Sequence, residues 1–88
     1  MTARHLIIRG RVQGVFYRDW TVETARRLGL AGWVRNQTDG TVEAHIEGEA
    51  GAVERMIAAM HEGPPRAEVE GIDNSPVEAE SLDEFVRR

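Results

Sequence analysis

Apolar and polar side chains alternate along the first dozen residues. Leu6, Ile8, Gly10 and Val12 fall on one phase and His5, Ile7, Arg9 and Arg11 on the other, which is the period of a half-buried strand over His5–Val12. The stretch RDWTVETARRLG at 18–29 then changes period. It lacks proline, has acidic Asp19 near its start, and Arg26 and Arg27 near its end with Gly29 as a stop, so it predicts a helix of roughly three turns. Thr21, Ala25 and Leu28 share its inner stripe, with Thr24 alongside and Val22 on the flank; such small residues imply close packing on a sheet. Next, AGWVRN and TVEAHIEG read as two strands of a hairpin joined through Gln37, Thr38, Asp39 and Gly40, with Asp-Gly supplying the turn. Between Ala50 and Glu62, Val53, Met56, Ile57 and Met60 recur at i, i+3, i+4 and i+7, and Gly63, Pro64 and Pro65 stop this second helix. Ala67, Val69 and Ile72 mark a fourth strand whose alternation slips by one at Gly71, the mark of a bulge, and 82–88 has the pattern of a short edge strand.

The order strand, helix, strand, strand, helix, strand predicts an α+β fold, a ferredoxin-like split βαβ sandwich. Both helices then cover one face of an antiparallel sheet, with a possible fifth edge strand, and the other face is left wet. The wet-face candidates are Arg9 and Arg11, Glu43, His45 and Glu47, and Glu68 and Glu70. A ferredoxin-like RNA-binding module would carry stacking aromatics on this surface, whereas here it is acidic and mixed in charge.

At 88 residues the chain predicts one domain, 1–88, burying roughly 60% of the surface its unfolded form exposes. A formal charge of −4 gives no general attraction to nucleic acid or anionic membrane, so any anion must be bound locally. The chain contains no cysteine, which excludes disulfides, thiolate metal sites and cysteine nucleophiles together. MTARHLIIRG holds too short an apolar run for a signal peptide, and no run approaches membrane-span length, so the expected location is cytoplasmic and the expected state a monomer.

Chemistry concentrates in GRVQGVFYR at 10–18. Arg18 stands in the first turn of a helix, where unpaired N–H groups already carry positive partial charge. Two readings are open: its stem packs beside Trp20 while its head pairs with a carboxylate such as Asp19, or the glycine loop and guanidinium form an anion cradle. Gly10 and Gly14 permit close backbone approach, Gln13 adds a polar side chain, and Phe16 and Tyr17 are placed to wedge the loop into the core. The stretch lacks the Gly-Lys-Ser/Thr ending of a Walker loop. Asn36 closes the second strand, where asparagine either bonds its own backbone or, as donor and acceptor at once, positions a water. His5, His45 and His61 form no cluster, and His45 falls on the exposed phase. Neither a metal nor a cofactor site is expected.

Taken together, GRVQGVFYR and GWVRNQTDGTVE resemble the two signature segments of the acylphosphatase family. The likeness extends over nearly the whole chain, through LGLAGWV, the GPP after the second helix and the closing EFVRR. It implies hydrolysis of an acyl phosphate to a carboxylate and inorganic phosphate without metal or cofactor. By the same resemblance Arg18 matches the phosphate-binding arginine, Asn36 the asparagine that orients the attacking water, and the loop Gln13, Gly14, Val15, Phe16, Tyr17 and Arg18 the source of backbone donors. Tyr17 stands where phenylalanine is expected, so its hydroxyl needs a partner. Two alternatives remain: an anion-binding domain without turnover, and one specialised for carbamoyl phosphate, as in acylphosphatase-like domains of larger maturation proteins.

Overall fold

The computed structural model describes residues 1–88. The elements run β1 (Thr2–Arg11), α1 (Tyr17–Arg27), β2 (Ala31–Asn36), β3 (Val42–Gly48), α2 (Ala50–Glu62), β4 (Glu68–Pro76) and β5 (Phe85–Arg87). They form a five-stranded sheet in the order β4-β1-β3-β2-β5. The two central strands, β1 and β3, pair antiparallel and set Leu6 opposite Ala44 and Ile8 opposite Val42. Val34 of β2 lies opposite Ala44, so one phase of each strand faces the helices. These residues join Ile46, Val53, Met56, Met60 and Phe85 in the core, all without measurable exposure or nearly so. Burying each side chain of this size contributes about 1.5–3 kcal/mol.

α2 has the bounds its periodicity predicts, and Val53, Met56 and Met60 face inward. α1 buries Thr21, Thr24 and Ala25 as expected, and also Tyr17, one residue before the predicted start. The predicted slip at Gly71 is real: Arg9 pairs with Gly71 and Gly10 with Val69, which leaves Glu70 as the extra residue of a bulge.

Two expectations are corrected. The sheet is mixed rather than wholly antiparallel, because β5 pairs parallel with β2, Gly32 beside Phe85 and Trp33 beside Val86. A parallel edge strand requires a crossover, and residues 77–84 supply it by passing from β4 across to the far edge of the sheet. That crossover covers the face predicted to be wet. His45 and Glu47 are therefore buried, at 3% and 1% exposure. The Glu47 carboxylate accepts the N–H groups of Glu80 at 2.7 Å and Leu82 at 2.9 Å and faces the His45 ring at 2.7 Å. Burial pushes this carboxyl up, and the hydrogen bonds from His45, Glu80 and Leu82 together outweigh that and hold it below its usual range. The alternation of β3 signalled a polar face correctly; what it lacked was the strap that lies over it.

Candidate active site

The chain turns from β1 into α1 through residues 12–16. Gly14 takes φ 73° and Phe16 φ 65°, both left-handed, with other residues between them. Alternation of this kind turns successive amides toward one side and makes an anion-binding concavity. Main-chain N–H groups from Gln13 to Asp19 donate to no other group of the protein. At the start of a helix such donors carry positive partial charge.

The two aromatics of the loop part company. Tyr17 is buried, and its hydroxyl donates to Met60 O at 2.7 Å. Its ring lies against Gly63, where an added Cβ would approach Tyr17 Cε2 to 2.9 Å, so the glycine after α2 makes room for it. Phe16, expected to help wedge the loop into the core, is instead 72% exposed. The left-handed conformation at this position directs its side chain out of the fold. Of the two aromatics only Tyr17 anchors the turn, and burial pushes its phenol well above the ordinary range.

Asn36 reaches the same place from β2. Next to it, Gln13 Nε2 donates to Gln37 O and to Thr41 O, each at 2.8 Å, and so ties the loop to the β2–β3 turn. The Asn36 carboxamide oxygen is buried and has no hydrogen-bond partner. A buried acceptor left unpaired costs about 1–3 kcal/mol, a penalty that a bound water or ligand would relieve.

Gly14, Phe16, Tyr17, Arg18 and Asn36 line one open cleft of about 260 Å³, together with Val12, Asp19 and Arg87. That is below the usual range for drug-sized ligands and suits a small anion with its water. Gln13 and Val15 lie outside the cleft lining, Gln13 with its amide engaged in the turn and Val15 in the core. Arg18 does not pair with Asp19; its Nη1 donates to the main-chain oxygen of Arg88 at 3.2 Å. Asp19 is paired instead with Arg87, at 2.9 Å. This ion pair occupies the carboxylate next to Arg18 in sequence. Val12, Asp19 and Arg87 are lining residues outside the expected set; for Arg87 the signal was the arginine pair of EFVRR, legible only once β5 is known to lie beside β2.

A family model described as Acylphosphatase matches residues 4–86. The chain belongs to the acylphosphatase family. It is 53% identical over 88 residues to an acylphosphatase of Acidiphilium cryptum, covering all of this chain and 97% of that protein. With an acylphosphatase of Rhodospirillum rubrum it shares 60% identity over 72 residues, 82% of this chain and 79% of the relative. The crystal structure of acylphosphatase from Bacillus subtilis superposes with a TM-score of 0.97 at 34% identity, over the full chain and 99% of the other. Acylphosphatases are hydrolases acting on acid anhydrides, and the ferredoxin-like arrangement expected from the sequence is the fold they share with this chain.

Proposed function

We infer that the chain hydrolyses acyl phosphates as a cytoplasmic monomer without a metal or cofactor, with Arg18 and the loop amides holding the phosphoryl group and Asn36 holding the water. The observation that carries this reading is the convergence at one small cleft of three features: a row of free N–H donors, a guanidinium that forms no ion pair with the adjacent Asp19, and a buried carboxamide oxygen without a partner.

The proposed step needs little else. The Asn36 oxygen accepts a hydrogen bond from a water and aims its lone pair at phosphorus. A bond forms from the water oxygen to phosphorus, the bond from phosphorus to the acyl oxygen breaks, and its electron pair leaves on the carboxylate. A carboxylate is a stable leaving group and requires no strong acid. The water proton passes to a phosphate oxygen, giving inorganic phosphate. Charge in such transfers spreads over the equatorial oxygens, where Arg18 and preorganised amides act most strongly.

The test follows benzoyl phosphate hydrolysis with EDTA present. Wild type turns over. Arg18→Ala weakens inhibition by inorganic phosphate about 10- to 100-fold, the loss of a charge-assisted hydrogen bond. Asn36→Ala binds phosphate nearly as well and loses about 10²- to 10³-fold in kcat, the usual cost of a missing positioning group. An inert wild type, or full rates in both variants, defeats the assignment.

A further inference from the structure

The loop that lines the cleft has a second side. Beyond Phe16 lies a larger groove of about 470 Å³, walled by Val15, Phe16, Trp20, Pro64, Pro65 and Arg66, with Asp19 and Glu23 at its edge. Phe16 and Asp19 belong to both depressions. The two depressions therefore adjoin at Phe16 and Asp19.

Phe16 is also held there at a cost. A bulky residue with φ 65° and ψ 22° lies in the left-handed region that asparagine or glycine enters far more readily. The other exposed large apolar side chains are Met1 and, to a lesser degree, Val77. Neither lies on the groove or the cleft. A strained backbone that presents an exposed ring at the lip of a ligand cleft is the kind of outlier from which function is inferred.

We propose that this groove is the subsite for the acyl group of the substrate, and that it favours a neutral apolar or aromatic acyl chain. This rests on the hydrolase reading above, since the phosphate in the cleft fixes where the acyl end begins. From a phosphate held by the loop amides, an acyl group that leaves the cleft on the side it shares with the groove passes over Phe16. On the far side it meets Trp20, which is partly buried against the Tyr17 ring, and the rigid pair Pro64 and Pro65. These surfaces are apolar and preorganised: proline has no rotamers to lose, and Trp20 is packed. The charges nearby favour no second anion, because Glu23 and Asp19 line the groove beside its one cation, Arg66. A small acyl group such as acetyl has little apolar surface to place in the groove and gains correspondingly less from it.

The experiment compares kcat/KM for benzoyl phosphate and acetyl phosphate, each divided by its uncatalysed rate, in wild type, Phe16→Asn and Pro65→Ser. Both positions are exposed, and asparagine tolerates the left-handed backbone, so each variant keeps the fold. Wild type is expected to prefer benzoyl phosphate by about tenfold, the effect of shielding roughly half of a phenyl ring from water. In both variants that preference falls by threefold or more, carried by a rise in KM for benzoyl phosphate, since the groove binds ground state and transition state alike. A preference that stays within twofold of the wild-type value in either variant overturns the subsite. So does a wild type that hydrolyses the two without preference, which leaves the hydrolase reading intact. Hydrolysis of neither substrate defeats that reading and the subsite with it.

Discussion

Removing the Tyr17 hydroxyl isolates one buried hydrogen bond whose necessity follows from covalent structure. Met60 O lies in the final turn of α2, and the N–H four residues on would belong to Pro64, which has none. The Gly63 N–H is engaged by Ala59 O at 2.9 Å. Met60 is fully buried, so no main-chain donor and little water is available to its carbonyl, and the Tyr17 hydroxyl fills the place of the missing amide at 2.7 Å. Tyr17→Phe keeps the ring and leaves that carbonyl bare. The lost bond and the desolvated acceptor together cost about 1–3 kcal/mol. For a domain of this size each kcal/mol moves the melting temperature by about 4–8 °C. Urea denaturation should show a lower midpoint at an unchanged slope, the sign of lost stability without a change in exposed surface. Inhibition by inorganic phosphate should hold within about twofold, because the ring still fixes the loop. A loss below about 0.3 kcal/mol would refute the reasoning, since the carbonyl would then be satisfied by another group.

Gln13→Ala cuts the tie between the loop and the β2–β3 turn, so the distance from the amide row to Asn36 is no longer fixed; kcat on benzoyl phosphate should fall about tenfold or more, and an unchanged kcat would show that the turn holds Asn36 unaided. Glu47 has a folded pKa below its ordinary 4.5, so the stability it contributes is complete above that value and is lost as pH falls through the folded value. Glu47→Gln should accordingly flatten the decline of urea-measured stability between neutral pH and about pH 3, and an identical slope in both proteins would contradict the assignment. The same substitution should loosen the crossover, raising amide exchange at Glu80 and Leu82 ahead of exchange in α2.

Periodicity carried most of the fold because it reports which side of an element is buried. Val53, Met56 and Met60 revealed α2 to the residue, and the slip at Gly71 revealed the bulge. What periodicity does not report is a covering that has no period of its own. Residues 77–84 carry little apolar surface and dock through main-chain N–H groups on Glu47, so neither the burial of His45 nor the parallel placement of β5 left a mark in the pattern. The candidate site divides in the same way. Arg18 stood out because its charge opposed the helix dipole, and Asn36 because its motif recurred in a known family. The exposure of Phe16 depends on a single backbone angle, and Arg87 reaches the cleft only through β5, two features that no local pattern encodes.

β5 is three residues long and hydrogen-bonds along one edge only, yet it forms one wall of the cleft. Arg26 grips it by donating to Phe85 O through Nε and Nη2, at 3.2 and 3.0 Å, and Phe85 is sunk in the core. An excursion that releases residues 77–88 would leave four strands and both helices paired while withdrawing Arg87 from Asp19 and the Arg88 oxygen from Arg18. In such an excursion the cleft would lose a wall before the fold lost its core sheet, because a short edge strand is the kind of element that opens at less than the global unfolding free energy.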